Sequence, residues 1–155
     1  MSILVRHYEP SDRDAVISLW DDVFPDSTGH NEPATSIQRK YDADDGLFFV
    51  AELDATVIGT VMAGYDGHRG WIYSLAVTPT QQRRGIGSTL IRHAEQALSN
   101  LDCPKINLQV RSQNDEVVAF YGSLGYDTEQ RISMGKRLAS HAKIGEPDDA
   151  REPPS

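Results

Sequence analysis

The stretch Leu75-Ala76-Val77-Thr78-Pro79-Thr80-Gln81-Gln82-Arg83-Arg84-Gly85-Ile86-Gly87-Ser88 decides how the chain is read. An apolar run ends at Pro79, which cannot donate to a sheet ladder. An arginine pair and two glycines follow. Beyond them Ile86, Leu90, Ile91, Ala94, Leu98 and Leu101 recur at the helical period, so a strand passes through a tight turn into an amphipathic helix with one buried face. The first turn of a helix carries backbone N–H groups without intrahelical partners and the positive end of the dipole, and glycines let an oxygen approach the main chain closely. An anion site is therefore expected here, with phosphate as the natural guest. Arg83 and Arg84 add charge, although adjacent side chains at a turn point apart and only one is expected to reach. The plainer reading is a solvated helix start in which Gly85 only eases the turn. It is not a Walker loop, because no Gly-Lys-Ser/Thr follows, and it lacks the third glycine and early position of a dinucleotide fold.

Working outward, Ile3, Val5 and His7 alternate with Leu4, Arg6 and Tyr8 as in a strand that stops at Pro10. Ser11 stands where an N-cap belongs, and Ala15, Val16, Leu19, Trp20 and Val23 predict a helix ending before Pro25. A second short helix from Ala34 to about Tyr41 is stopped by the turn at Gly46, and residues 25–46 read as a lid or wall. Leu47 to Leu53 and Thr56 to Tyr65 flank Asp54-Ala55 as a hairpin, and a turn over residues 66–70 leads into Trp71 to Val77, giving an antiparallel meander. After Pro104, residues 105–111 alternate as a strand. Val117, Phe120, Tyr121 and Leu124 form a last helical stripe closed by Gly125, and residues 126–138 predict one or two final strands. No internal repeat is present.

At 155 residues the chain suits one domain. Hydrophobic residues make up 39% and charged residues 25%, an ordinary globular usage. A net charge of -8 repels a polyanion, which argues against nucleic acid as partner and suits a cationic small molecule or peptide. The apolar runs are too short to span a membrane and none follows Met1 as a secretory signal, so a cytoplasmic protein is expected. Cys103 is the single cysteine; an internal disulfide is impossible and no pair suggests a metal site.

In this context the segment from Leu75 through Gln82-Arg83-Arg84-Gly85-Ile86-Gly87 resembles the acetyl-CoA signature of the GNAT N-acetyltransferase superfamily, Q/R-x-x-G-x-G/A after a strand. Asn114, Ala119, Phe120, Tyr121, Leu124, Gly125 and Tyr126 resemble the family's second, helical motif at the expected distance downstream. Residues 61–70 further resemble a bacterial YpeA-type acetyltransferase branch. The resemblance implies an α/β (α+β) fold: a central mixed, mostly antiparallel sheet of about six to seven strands, flanked by about four helices and splayed between the fourth and fifth strands. It would occupy residues 1–138 as a single domain, with 139–155 as a polar tail.

By the same resemblance, acetyl-CoA is the acyl donor and no metal is required. Main-chain groups of Leu75, Ala76 and Val77 would pair with the pantetheine arm, while Gln82, Arg83, Arg84, Gly85, Ile86, Gly87 and Ser88 would hold the pyrophosphate. Asn114 is the family's polar contact to that arm, yet by itself it is equally an N-cap. Direct transfer to an amine needs a neutral nucleophile and a proton for the departing thiolate. Tyr121 is the expected acid, since a phenol titrates near 10; its plainer role is packing beside Phe120. Ribosomal-protein N-terminal acetyltransferases carry Glu where this chain has Gln109, so their base is missing here. Glu52, Asp66, His68 and Tyr73 remain as candidates. The acceptor stays open among small amines, amino acids, peptide N-termini and lysines. Neutralising an α-amine at pH 7 costs roughly 1 kcal/mol and a lysine roughly 4 to 5 kcal/mol, so a dedicated base matters mainly for the second. Family members pair through sheet edges, which implies a homodimer. Two other readings stand beside the enzyme: a non-catalytic coenzyme A sensor with the same fold, and an acidic interaction module that binds no coenzyme A.

Overall fold

The computed structural model describes residues 2–138, so the tail predicted for residues 139–155 lies outside the described residues. They divide into two compact units, with the boundary between Leu108 and Gln109.

The first unit is a five-stranded sheet in the order β1 (Ile3–His7), β2 (Phe48–Leu53), β3 (Thr56–Tyr65), β4 (Gly70–Val77) and β5 (Ile106–Asn107). The first four strands are antiparallel neighbours and β5 is parallel to β4, which is the mixed, mostly antiparallel sheet expected. The β2–β3 hairpin turns at Asp54 and Ala55, both at positive φ, as a type I′ turn requires. Phe48 and Val50 share a core with Tyr8, Val16, Leu19, Trp20, Ile37 and Met62. Phe49, between them, meets His93. Alternation along a strand puts these on opposite faces, so α1 (Arg13–Val23) and α2 (Pro33–Ala43) cover one face and α3 (Ile86–Ser99) the other. Ile86, Leu90, Ile91, Ala94 and Leu98 are the buried stripe of α3. The helix lies close to the sheet because β3 offers Gly59: a Cβ there would come 3.0 Å from both the Ala76 carbonyl oxygen and a Leu90 methyl.

Arg6 on β1 donates two bonds to the Asp12 carboxylate, at 2.8 and 2.9 Å, and a longer one to Glu52 on β2. Asp12 is 6% exposed, and the guanidinium holds its carboxyl below the usual carboxylate range. The start of α1 differs from expectation. A 3-10 turn at Pro10–Asp12 precedes the helix, and Glu9 and Asp12 form a capping box there in place of the N-cap expected at Ser11. Glu32 caps α2 through the amides of Ala34 and Thr35.

The second unit holds α4 (Asp115–Ser123), with Asn114 as N-cap. Its end is a Schellman closure: Tyr126 N–H donates to the Tyr121 carbonyl, Gly125 N–H to the Gly122 carbonyl, and Gly125 sits at φ +96°. With α4 the described residues carry the four α-helices expected.

Among the described residues the strand count is corrected from six or seven to five. Over residues 126–138 the alternation of Ile132 and Met134 does not become a strand; no ladder partner is present among the described residues and both side chains are 90% exposed. The fifth strand also shrinks from residues 105–111 to Ile106–Asn107. It pairs with β4 only at Gly70 and Trp71, so from Ile72 to Val77 that edge of β4 has no strand partner among the described residues. This is the expected splay between fourth and fifth strands. Leu101, expected in the buried stripe, lies beyond α3 and is 48% exposed.

Candidate active site

The free edge of β4 is shaped by a bulge. Thr60 stands opposite Ala76 and Met62 opposite Tyr73, so Ser74 and Leu75 together face Val61 alone. Ser74 takes a left-handed conformation, φ +51°. A bulge frees backbone groups from the ladder, and the Ser74 carbonyl finds its partner in the Thr60 hydroxyl, which donates to it at 3.0 Å. The same hydroxyl accepts the Trp20 indole N–H at 2.8 Å. Thr60 is fully buried and fully satisfied. Beyond the bulge Ala76 faces the core, while Leu75 and Val77 are half-buried.

After β4 a 3-10 turn at Pro79–Gln81 leads to Gln82, whose side-chain amide donates to the Val77 carbonyl at 3.0 Å. Gln82 therefore closes the loop onto the end of the strand, a structural role added to its expected contact with the cofactor. Arg83 has φ +66° and Gly85 φ +80°. A Cβ built on Gly85 would meet nothing within 4 Å, so the space above the turn is open. Gly85 is the N-cap of α3 and no side chain caps this end. Thr89 makes the first intrahelical bond, to the Gly85 carbonyl. The amides of the preceding turn, Ile86 to Ser88, have no carbonyl four residues back within the helix. Ile86 is buried as the first core residue of α3, Gly87 and Ser88 are half-buried, and Gln82, Arg83 and Arg84 are exposed. Open space, uncapped amides and two exposed arginines fit a diphosphate.

In the second unit Asn114 Oδ1 accepts the Val117 N–H at 3.3 Å, so the capping role is realised. Tyr121 is 8% exposed and stands edge-on to both Phe120 and Tyr126, with centroids 5.1 and 5.7 Å away. Burial pushes its phenol up to about 12. Such a phenol is a firm hydrogen-bond donor, but passing its proton completely to a thiolate of reference value near 8.5 is uphill by roughly 5 kcal/mol. Gln109 donates to the Ser133 hydroxyl.

The four candidate bases fare unevenly. Glu52 is ion-paired with Arg6. Asp66 accepts the amides of His68 and Arg69 and the Trp71 indole, and these bonds, the backbone ones foremost, hold its carboxyl below the ordinary value. Burial, then the charge of Asp66, pushes the Tyr73 phenol up, so it stays protonated at neutral pH. His68 sits in the turn Asp66 organises. A cleft of about 330 Å³ opens between Asp54, Thr56, Ile58 and Gln81, at the β2–β3 turn rather than on the free edge of β4. Among the described residues no group of His, Cys, Asp and Glu could hold a metal ion, and no helix is long and apolar enough to cross a membrane.

What sequence reasoning missed is the Trp20–Thr60–Ser74 chain. Its one signal was a threonine inside the otherwise apolar run of β3.

Among the described residues, a bulged strand edge without a strand partner leads through an open glycine turn into a helix start without a side-chain cap. The chain belongs to the acetyltransferase (GNAT) family, whose model matches residues 13–126, and it is an acetyl-CoA-dependent acyltransferase. It is 43% identical over 136 residues to an acetyltransferase of Pectobacterium atrosepticum and 42% identical to one of Yersinia pseudotuberculosis, in each case covering 86% of this chain and 94% of the relative. Among solved structures, the aminoglycoside N-acetyltransferase AAC(6')-Iy in complex with CoA aligns with a TM-score of 0.74 at 17% identity, over 88% of this chain and 95% of that one. The PaiA N-acetyltransferase of Thermoplasma acidophilum in complex with coenzyme A aligns with a TM-score of 0.68 at 21% identity, over 85% and 94%. At these identities the structures speak for the fold.

Proposed function

We propose that the enzyme moves an acetyl group directly from acetyl-CoA to a primary amine on a small molecule or peptide. The observation that carries this is the vacant, bulged edge of β4 running into the open turn at Gly85. In this reading main-chain groups of Leu75, Ala76 and Val77 pair with the pantetheine arm as an added strand would. The amides from Arg83 to Ser88 hold the pyrophosphate, with the two arginines adding charge. Asn114, already an N-cap through its oxygen, offers its side-chain N–H groups to the arm. The amine nitrogen bonds to the thioester carbon, the carbon–sulfur bond breaks, the nitrogen gives up its proton and the sulfur leaves as coenzyme A thiol. Tyr121 hydrogen-bonds the leaving sulfur, stabilising its charge rather than surrendering its proton in full.

Three of the four candidate bases are engaged elsewhere or already protonated. That favours acceptors that need little help to lose a proton: an amine titrating near 7.8, such as an amino acid or peptide N-terminus, over a lysine. The likeness of residues 61–70 supports the YpeA-type branch, and the 42% identical Yersinia proteins, themselves called acetyltransferases, agree with a bacterial enzyme of this kind. The family match runs across the boundary at Leu108, which supports one catalytic domain over residues 1–138. A cytosolic homodimer completes the reading.

The test is coenzyme A binding by calorimetry together with acetyl-CoA-dependent thiol release over a panel of α-amines, small amines and lysine peptides. Binding with release driven by one amine class is the expected result. Binding with no release for any amine would favour the sensor, and no binding would end the proposal. Tyr121→Phe should lower kcat by about tenfold or more with the KM of acetyl-CoA little changed; full turnover at every pH removes Tyr121 from the mechanism.

A further inference from the structure

We propose that Thr60 is a positioning residue for the acyl donor, acting through the β4 bulge; this rests on the reading above, in which the main chain of Leu75 to Val77 holds the pantetheine arm.

Three observations carry it. The Thr60 side chain has one arrangement that satisfies all its neighbours. An indole N–H can only donate and a carbonyl can only accept, so the hydroxyl must accept from Trp20 and donate to Ser74. Its rotor is thereby fixed, in a site with no exposure to water. Second, Ser74 is a residue without glycine's freedom, held in a left-handed conformation that persists only when its surroundings over-determine it. The Thr60 bond falls on that residue's own carbonyl. Third, the bulge consists of Ser74 and Leu75, and Leu75 is the first of the groups assigned to the arm, so a change in the Ser74 peptide re-aims Leu75, Ala76 and Val77 together. A valine at position 60 would fill the same volume and pack as well. Only the hydroxyl distinguishes the two, and it touches nothing but Trp20 and Ser74 in the hydrogen-bond network of this face.

The test compares the wild-type enzyme with Thr60→Val and Thr60→Ser. The dissociation constant of coenzyme A is measured by calorimetry, and KM for acetyl-CoA and for the amine are measured separately with an amine the wild type acetylates. Thr60→Val is expected to raise the coenzyme A dissociation constant and the KM of acetyl-CoA about tenfold, leaving the KM of the amine within twofold. Thr60→Ser, which keeps the hydroxyl, is expected to stay within about twofold of wild type in both donor constants. A purely structural role would lower the melting temperature of Thr60→Val without moving those constants, and that result overturns the proposal. Should Thr60→Val not fold, Thr60→Cys against Thr60→Ser makes the same comparison, since both lose the methyl group and differ only in sulfur for oxygen. Weaker coenzyme A binding in the cysteine variant supports the proposal, and equal binding refutes it. Wild-type protein that fails to bind coenzyme A would instead refute the functional reading itself.

Discussion

Gly85 and Gly67 form a matched pair for testing the diphosphate site. Both have left-handed backbone, φ +80° and +89°, and a Cβ at either would meet nothing within 4 Å. Alanine at either position therefore brings backbone strain without a clash, about 1 kcal/mol, or a fall in melting temperature of roughly 2–4 °C for a chain of this size. The two differ in place. Gly67 lies in the β3–β4 turn, and the whole of β4, Gly70–Val77, separates it from the turn at Gly85 by roughly 25 Å. At Gly85 the new methyl group projects into the open space before the uncapped start of α3, where the phosphate oxygens would approach. Losing one charge-assisted bond there costs about 1.5–3 kcal/mol, so the coenzyme A dissociation constant should rise between about tenfold and a hundredfold. Calorimetric titration of both variants separates the effects. Equal stability loss with weakened binding only in Gly85→Ala is the expected result. Unchanged affinity in Gly85→Ala, or equal weakening in Gly67→Ala, would refute the siting of the diphosphate.

The Arg6–Asp12 pair should show in acid. Its folded-state carboxyl lies below the ordinary value, so its stabilisation is fully present above about pH 4 and is lost as pH falls through the lowered value. Asp12→Ala should cost roughly 2–3 kcal/mol at pH 7, with Arg6 still partly solvated and bonded to Glu52; urea midpoints should show that gap narrowing at low pH, and a constant gap would contradict it. Tyr121 works in the opposite range. An unfolded tyrosine ionises near 10 and this one at about 12, so stability should fall as pH rises above 10, by about 2 kcal/mol at pH 12. Tyr121→Phe should lose that component of the alkaline slope in denaturant titrations, and identical slopes would refute the burial argument.

What could be read in the sequence was whatever local chemistry specifies. The limits of β3, the start of α3 after Gly85 and the closing of α4 at Gly125 follow from turn residues and apolar periods, and they match the structure to within a residue. What could not be read depends on a partner. Ile106, Leu108 and Val110 alternate like a strand, but β5 keeps only two residues paired with β4, which bulges a few residues further on at Ser74 and Leu75. That bulge gave no sign, since its left-handed residue is Ser74 and not the glycine or asparagine that would mark it. Ile132 and Met134 have the period of a strand and, among the described residues, no ladder to join. Ser11 had the right chemistry for a cap, and lost the place to the Glu9–Asp12 pair because Arg6 reaches across from β1 to fix Asp12. In the candidate site, the glycine turn was legible and the Thr60 chain was not, because a contact between residues 20, 60 and 74 has no local signature.

The placement of backbone strain argues that the segment from Ser74 to Gly85 is preorganised for its ligand. Of the non-glycine residues at positive φ, Asp44, Asp54 and Asp102 are of a type that tolerates the left-handed region, and Ala55 belongs to a hairpin turn that demands it. Ser74 and Arg83 have neither excuse, and they bracket the strand end and loop assigned to the acyl donor. Each costs on the order of 1–3 kcal/mol unless its neighbours compensate. The compensation is visible at both ends: Thr60 binds the Ser74 carbonyl, and Gln82, one residue before Arg83, binds the Val77 carbonyl. Between them, the Ala76 carbonyl oxygen lies so close to Gly59 that a Cβ there would come 3.0 Å from it and from a Leu90 methyl of α3, leaving that stretch little room to relax. A ligand that docks on such a segment need not order it first, so a larger share of each main-chain bond appears as affinity. The strain is therefore met during folding, and the gain appears when the acyl donor binds.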